Sequence, residues 1–288
     1  MIRELIEKDK DSSTSDQNVP LTVIRRYSYS ERLERVERLK DAWPFTAEVL
    51  MTCAEVLQFQ QNFRTFLDHS QFRDLTPEQQ LPQRIDLVSL LPKFRDFLRM
   101  MSASATEVLV EAATLLETRG TPYWEDSLTR FWNGTASNRT IESFFLHAFL
   151  QPIAESFAES SDVSAENCSR STCPYCCRKP VCGVLRPLGD GAKRSLICSF
   201  CNTEWDYRRL VCPSCEQENV EFLPVYTAEG FAYIRIEDCE LCKSFIKTID
   251  LTQQGRAVPV IDEIGSPVLT LWAEQKGYRK LERNLLFT

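Results

Sequence analysis

Histidine and glycine are both scarce in this chain. It has 2 histidines, His69 and His147, and 9 glycines among 288 residues. Few histidines leave little material for imidazole-based catalysis or for a metal centre with several histidine ligands. Few glycines exclude a collagen-like or glycine-rich low-complexity chain. We interpret His147, which stands in an aromatic run, as a partly buried core residue, and His69 as a residue at a helix end.

Long apolar runs are also missing. No stretch approaches the ~20 apolar residues of a membrane-spanning helix, and the charged segment 1–10 lacks the apolar run of a signal peptide. We therefore expect a cytoplasmic protein without membrane insertion. Thiols in that compartment are kept reduced, so clustered cysteines there indicate metal ligands or redox groups. The formal net charge of -7 argues against a nucleic-acid partner, since that binding depends on Lys and Arg contacts to phosphate.

Cysteine, in contrast, is abundant and unevenly distributed. Eleven of the 12 cysteines lie in residues 168–288, where 16 basic and 15 acidic side chains nearly balance, whereas the rest of the chain has 18 basic and 26 acidic ones. The change in composition falls beside a polar, serine-rich stretch that is typical of a linker. We predict a flexible N-terminus (1–25), a helical domain (26–160), a linker (161–172), a first metal module (173–210) and a second metal module with a C-terminal segment (211–288).

The first half of the chain predicts helices. Apolar residues recur at three- and four-residue spacing through residues 30–157, which indicates six amphipathic helices with short connections, a bundle-like domain. Prolines and glycines mark the expected boundaries: helices begin at Pro44, Pro92 and Thr121, others end at Gly120 and Gly134, and Pro152 kinks the last one.

The second half predicts short strands instead. Runs rich in β-branched and aromatic residues lie between the cysteines at 222–226, 233–236 and 245–249. The fold class is therefore α+β, with an N-terminal all-α helical domain followed by two small rubredoxin-like or zinc-ribbon-like metal modules with short antiparallel strands.

Four Cys-x-x-Cys pairs are the clearest chemical signal: Cys173/Cys176, Cys198/Cys201, Cys212/Cys215 and Cys239/Cys242. Two thiolates three residues apart on a tight turn can reach one ion, and a tetrahedral site needs two such turns. Only 10 residues separate the second and third pairs, so we predict that the first pair joins the second and the third joins the fourth. An interleaved arrangement stays open, because spacing alone does not fix connectivity.

Two metal ions, each with four cysteine ligands, follow from this grouping. Sulfur ligands suit zinc and iron equally, so the sequence leaves open a structural zinc site or rubredoxin-like redox iron. Of the remaining cysteines, Cys168 and Cys182 are expected at surface or semi-buried positions, as free thiols, and Cys53 is expected in the core. Cys177 stands where the metal-binding turn favours a positive φ, as a spare thiol or as an alternative to Cys176. The segment Glu204-Trp205-Asp206 lacks a neighbouring nucleophile, and we predict no catalytic residues.

These motifs also resemble a known family. The segments on which the resemblance rests are Ala148–Glu155, Cys173-Pro-Tyr-Cys176, Arg194–Trp205, Arg208–Cys215 and Glu237–Lys243. Together they resemble the family of the formate dehydrogenase accessory protein FdhE, most closely over residues 140–288. The chain departs from the family at Cys177-Arg178, where Gly-Ser is usual, which puts the shape of the first turn in doubt.

The resemblance implies a function that the spacing alone does not. Proteins of this family have a helical domain and two rubredoxin-like metal modules, with the eight paired cysteines as ligands. They are cytoplasmic and are not enzymes. They bind the catalytic subunit of respiratory formate dehydrogenase before its twin-arginine export and assist its maturation or quality control. The alternatives are a rubredoxin-like iron electron-transfer protein and, less favoured by the charge, a zinc-ribbon nucleic-acid binder.

Overall fold

The computed structural model describes the backbone of residues 2–5 and residues 26–67, 86–104, 106–136, 140–160 and 171–286. The chain divides into two compact units. One contains Met1–Arg35 and Ser164–Asn284, and the other contains Val36–Val163 and Leu285–Phe287. His69, Cys168 and most of the predicted N-terminal and linker segments lie outside the described residues. No helix within the described ranges is long and apolar enough to cross a membrane.

Six α-helices lie in the described part of the first half of the chain, as the sequence predicts. They are α1 (Tyr29–Ala42), α2 (Ala47–Arg64), α3 (Leu87–Ser104), α4 (Glu107–Arg119), α5 (Thr121–Trp132) and α6 (Ile141–Ser160). The predicted ends at Gly120 and Gly134 are confirmed, with φ of 76° and 70°, which glycine adopts without steric cost. Pro152 lies inside α6.

The predicted start of α3 at Pro92 is wrong. The helix begins at Leu87, and Pro92 lies inside it. Pro92 lacks the N–H that would donate to the Val88 carbonyl one turn earlier. Val88 is 53% exposed, so water can reach this side of the helix. Leu91 and Phe94 on the buried side extend the apolar stripe on both sides of Pro92 and hold it in the helix.

Aromatic rings fill the core of the helical unit. The ring of Phe149 on α6 lies 4.9 Å from that of Phe63 and 5.0 Å from that of Phe94, centroid to centroid. Cys53 is fully buried on α2, and His147 is half-buried 5.7 Å from the ring of Phe131. Both residues therefore belong to the packing of this unit, as the sequence indicates.

The second half of the chain forms one mixed sheet together with residues Ile2–Leu5. Its strands are β1 (Ile2–Leu5), β2 (Pro180–Leu188), β3 (Gly191–Cys198), β4 (Glu204–Asp206), β5 (Val225–Ala228), β6 (Ile234–Asp238), β7 (Ser244–Asp250) and β8 (Arg279–Lys280). The order is β1-β5-β6-β7-β2-β3-β4, with β8 beside β7. β2 and β7 are parallel, with Cys182 opposite Lys247, and this pairing joins the two predicted modules. The other pairs within each module are antiparallel, as expected, apart from the short parallel pair of β7 and β8. The sheet that the two modules share was not expected.

One predicted strand is displaced along the chain. Residues Val220–Phe222 form a short 3-10 turn in which the Asn219 side chain accepts a hydrogen bond from Glu221 N, and β5 begins only at Val225. Pro224 explains the shift, because it has no N–H to donate to a neighbouring strand.

Two helices that the sequence pattern did not predict pack in the sheet unit. They are α7 (Pro259–Ile264) and α8 (Pro267–Gln275), and each begins at a proline. The fully buried Lys247 of β7 donates to the Glu263 carbonyl of α7 at 2.6 Å and pairs with the Glu263 carboxylate at 3.0 Å. The same carboxylate also receives hydrogen bonds from Lys280 and Asn284. These buried contacts hold α7 and β8 against β7, the strand that pairs with β2 of the first module.

Candidate metal centres

The first four paired cysteines converge at one point. Cys173, Cys176, Cys198 and Cys201 place their sulfur atoms within 4.8 Å of one another. The Sγ atoms of Cys173 and Cys201 are 3.4 Å apart, and those of Cys176 and Cys198 are 3.3 Å apart. A tetrahedral ion with metal–sulfur bonds of about 2.3 Å needs sulfur atoms about 3.8 Å apart. Small outward movements would therefore give the four thiolates the geometry of a zinc or iron site.

The other four paired cysteines form a second site of the same kind. Cys212, Cys215, Cys239 and Cys242 also lie within 4.8 Å of one another. The Cys212 and Cys242 Sγ atoms are 3.7 Å apart, and the Cys215 and Cys239 Sγ atoms are 3.6 Å apart. The structure thus joins the first pair to the second and the third to the fourth, and the interleaved arrangement is wrong.

Each pair sits on a turn with one repeated backbone geometry. The first cysteine's N–H donates to the carbonyl five residues later in all four turns, for example from Cys212 to Gln217 at 2.9 Å. The residue that follows the second cysteine has a positive φ in every case; these residues are Cys177, Asn202, Glu216 and Lys243, with φ between 52° and 60°. A side chain in this region carries a steric cost. The prediction of a positive φ at Cys177 is confirmed, and the same strain recurs at the other three turns.

Backbone N–H groups and hydroxyls point at the sulfur atoms. Phe200 N lies 3.3 Å from Cys198 Sγ, and Ser214 N lies 3.4 Å from Cys212 Sγ. The hydroxyl of Thr203 is 3.2 Å from Cys201 Sγ, and that of Ser244 is 2.9 Å from Cys242 Sγ. The N–H groups donate to sulfur and stabilise its negative charge, which favours the thiolates that a metal ion requires. The Thr203 hydroxyl accepts from the Cys201 thiol, and it would donate in turn once that cysteine is a thiolate.

In both sites the pKa of the last cysteine is lowered, whereas that of the first cysteine is raised. Burial and then contacts with the neighbouring thiols raise the pKa of Cys173 well above its usual range. At Cys201 burial acts in the same direction, but hydrogen bonds from the other three cysteines and Thr203 outweigh it and lower the pKa. In the second site burial raises the pKa of Cys212, whereas at Cys242 the hydrogen bonds from Ser244 outweigh burial and lower the pKa to about 6.

The sites differ in exposure. In the first site only Cys176 is partly accessible, and its three partners are buried. In the second site Cys215 is exposed and Cys242 is partly accessible. Reagents, oxidants and chelators therefore reach the second site more easily than the first.

Cys177 and Cys182 lie outside both groups of four cysteines. Cys177 is disulfide-bonded, which corrects our interpretation of it as a spare thiol or an alternative ligand. Cys182 is a free thiol, but it is fully buried in an apolar cluster, which corrects the expected surface or semi-buried position. Burial raises its pKa well above the usual value.

Glu204 and Asp206, which the sequence analysis considered, have charged partners, and so does the nearby Arg208. Glu204 is buried and binds Arg186 at 2.6 Å, and Asp206 pairs with Lys193 at 2.5 Å. Arg208 pairs with Glu218 at 2.5 Å on the surface. Each of the three groups therefore takes part in an ion pair.

Two residues near the sulfur atoms were missed at the sequence level, Thr203 and Ser244. Each stands two positions after the last cysteine of its site, a regularity that is visible once the four pairs are aligned with one another. A cleft also reaches Cys212 and Cys239, and its sides include Arg194, Arg235 and Glu237.

Comparison with known proteins matches the region of both sites. Residues 172–209 match the model of the FdhE central domain, and residues 210–287 match that of the FdhE C-terminal domain. A protein named Protein FdhE homolog from Aquifex aeolicus is 28% identical over 271 residues, covering 88% of this chain and 93% of its own. Its namesake from Actinobacillus pleuropneumoniae serotype 3 is 25% identical over 315 residues, covering 97% and 96%.

The fold is also similar to a solved structure. The crystal structure of the FdhE protein from Pseudomonas aeruginosa superimposes with a TM-score of 0.71 and 23% sequence identity. The match covers 94% of this chain and 99% of the other, so the helical unit and the sheet unit both take part in the likeness.

Proposed function

Since residues 172–287 match the models of the FdhE central and C-terminal domains, we propose that this chain is an FdhE-type accessory protein rather than an enzyme. In this proposal it binds the catalytic subunit of a respiratory formate dehydrogenase in the cytoplasm and assists its maturation or quality control before export. The observation that carries the proposal is the match of residues 172–287 to the two FdhE domains, which contain all eight converging cysteines.

We further propose that each four-cysteine site holds one metal ion, zinc or iron. Either ion would cross-link two turns that are distant in sequence and supply on the order of 10 kcal/mol per site to folding, and iron would in addition accept or donate an electron. The protein's own part is to present four sulfur atoms at near-tetrahedral spacing, to surround them with N–H and hydroxyl donors, and to limit water at the first site.

The surface beside the second site is our candidate for the client contact. Leu241, between the two cysteines of the last turn, is 62% exposed, and Phe222 is 41% exposed. Glu240 N donates to Phe222 O at 2.9 Å, so the two segments lie side by side. Exposed apolar side chains next to one another are typical of protein-binding surfaces.

Co-purification with the client's catalytic subunit tests this surface. Replacing Leu241 or Phe222 by Ser is expected to reduce recovery of the client at least tenfold while the metal content stays unchanged. Leu188→Ser is the matched control, because Leu188 is 63% exposed at the far end of β2 and is expected to bind the client normally. Equal loss in all three variants, or in none, would remove this surface from the proposal.

The metal requirement is tested separately. Cys212→Ser combined with Cys215→Ser should remove one ion and weaken client recovery, whereas Cys53→Ala, a change of a cysteine in the helical unit, should do neither. Full client recovery with one ion missing would show that the second site has no part in binding.

Electron transfer by rubredoxin-like iron is the second candidate. It is favoured by the exposure of Cys215, since a metal site near the surface exchanges electrons with a partner more easily than a buried one. It predicts iron in the protein purified without oxygen, with a visible thiolate-to-iron band that disappears reversibly on reduction. Colourless protein with two zinc ions would exclude it.

A further inference from the structure

The two sites share a feature outside their eight ligands. In each, a hydroxyl residue stands two positions after the last cysteine and contacts that cysteine's sulfur. Thr203 Oγ1 lies 3.2 Å from Cys201 Sγ, and Ser244 Oγ lies 2.9 Å from Cys242 Sγ. The corresponding positions after the other two turns are Arg178 and Gln217, which have no hydroxyl. Each site therefore has one such contact, and in both sites it is made to the last of the four cysteines.

The direction of these hydrogen bonds follows from the chemistry of the ligand. In the structure the Cys201 thiol donates to Thr203 Oγ1, and either atom can donate in the pair of Cys242 and Ser244. A metal-bound cysteine is a thiolate and has no proton to give, so with an ion bound the hydroxyl would become the donor. A hydrogen bond of this kind withdraws charge from sulfur and fixes the ligand's rotamer, and outer partners of metal ligands typically change affinity by about 10–100-fold. Both hydroxyls are shielded, because Thr203 is fully buried and Ser244 is 5% exposed.

In the first site a further side chain binds the hydroxyl of Thr203. Arg26 Nη2 donates to Thr203 Oγ1 at 2.9 Å, so a guanidinium polarises the hydroxyl that faces Cys201. At the second site the hydroxyl lies near two ligands, since Ser244 Oγ is also 4.0 Å from Cys212 Sγ.

We propose that Thr203 and Ser244 are positioning residues of the two metal sites, which hold the last thiolate of each site in place and slow the release of its ion. The proposal rests on the metal occupancy proposed above. The first site releases its ion more slowly than the second, because Arg26 binds its hydroxyl and three of its ligands are buried.

Metal release from the full-length protein tests this directly. The purified protein is loaded with zinc, and transfer to an excess of a chromogenic chelator is followed with time. We expect two phases in the unaltered protein. Thr203→Val should speed the slow phase about tenfold or more and leave the fast phase unchanged, and Ser244→Ala should speed only the fast phase. The conservative variants Thr203→Ser and Ser244→Thr, which keep the hydroxyl, should restore the original rates.

A spectroscopic measurement separates hydrogen bonding from a general loss of structure. With cobalt in place of zinc, the sulfur-to-cobalt charge-transfer band should move to longer wavelength in Thr203→Val and Ser244→Ala, because sulfur that accepts no hydrogen bond gives up an electron more easily. Thr248→Val is the matched control. It removes a buried hydroxyl that has no hydrogen-bond partner among the described residues, on the same sheet as both sites, and should change neither the rates nor the band.

The outcomes distinguish this inference from the proposed function. Fewer than two ions in the unaltered protein would overturn the metal sites and this inference with them. Two ions, with rates and band positions the same in the hydroxyl-free variants as in Thr248→Val, would overturn the inference alone. Faster release that the conservative variants do not restore would also contradict it, because the effect would then come from packing rather than from the hydroxyl.

Discussion

The stability of this protein should rise as the pH is raised from about 8 to about 10.5, and Lys247 should be responsible. Burial lowers the pKa of this lysine from its usual 10.5 to about 8, although Glu263 opposes the change. The folded protein then loses this proton before the unfolded chain does. Stability increases with pH wherever the unfolded state binds more protons, so the increase falls between the two pKa values and is absent below about pH 8.

The size of the effect follows from the difference between the two pKa values. Each pKa unit corresponds to about 1.36 kcal/mol, so the difference between 10.5 and about 8 amounts to about 3 kcal/mol for this fully buried group. Lys247→Met keeps an unbranched side chain and removes the charge. Glu263 retains Lys280 and Asn284 as partners, so the variant should still fold.

Urea unfolding at a series of pH values measures this effect. The free energy of unfolding of the unaltered protein minus that of Lys247→Met should grow by about 3 kcal/mol between pH 7.5 and pH 10.5. The subtraction cancels other groups that titrate in this range, such as tyrosines and thiols. A difference that stays constant with pH, or that shrinks, would refute the assignment of a strongly lowered pKa to Lys247.

Three further predictions concern the same unit. Glu263→Gln should cost about 3–5 kcal/mol of unfolding free energy by urea titration, because it leaves two lysines buried without a counter-charge; a loss below about 1 kcal/mol would contradict the pairing. Glu216→Gly should raise stability by up to about 1 kcal/mol, since φ is 60° there, and a thermal melt that shows destabilisation would contradict it. Gly183→Ala should destabilise the protein, because the new Cβ would lie 2.3 Å from Thr248 Oγ1. Adding Thr248→Ala should recover most of that loss, and a strictly additive double mutant would disprove the clash.

The ligand set was predictable because it is a local pattern. Two cysteines three residues apart define a turn, and four such turns, with 10 residues between the middle two, favour the grouping that the structure shows. The helical unit was predictable for a similar reason, since its apolar stripes recur over many turns. The error at Pro92 arose because a single residue was given more weight than the stripe on both sides of it.

The shared sheet could not be predicted in the same way. The parallel pairing of β2 with β7 brings together residues about 65 positions apart, such as Cys182 and Lys247, and no local spacing records it. The short α7 and α8 have too few residues for a clear helical period. A lysine in the middle of β7 even argues against a buried strand until Glu263 is seen beside it.

The central claim is that eight thiolates gather four by four around two ions, and metal analysis of protein purified without oxygen tests it most directly. Elemental analysis combined with native mass spectrometry should find two zinc or iron ions per chain in the unaltered protein. It should find one ion after Cys173→Ser with Cys176→Ser, and one after Cys239→Ser with Cys242→Ser. A chain that folds with no bound metal, or that loses both ions when either site alone is altered, would contradict two independent four-cysteine centres.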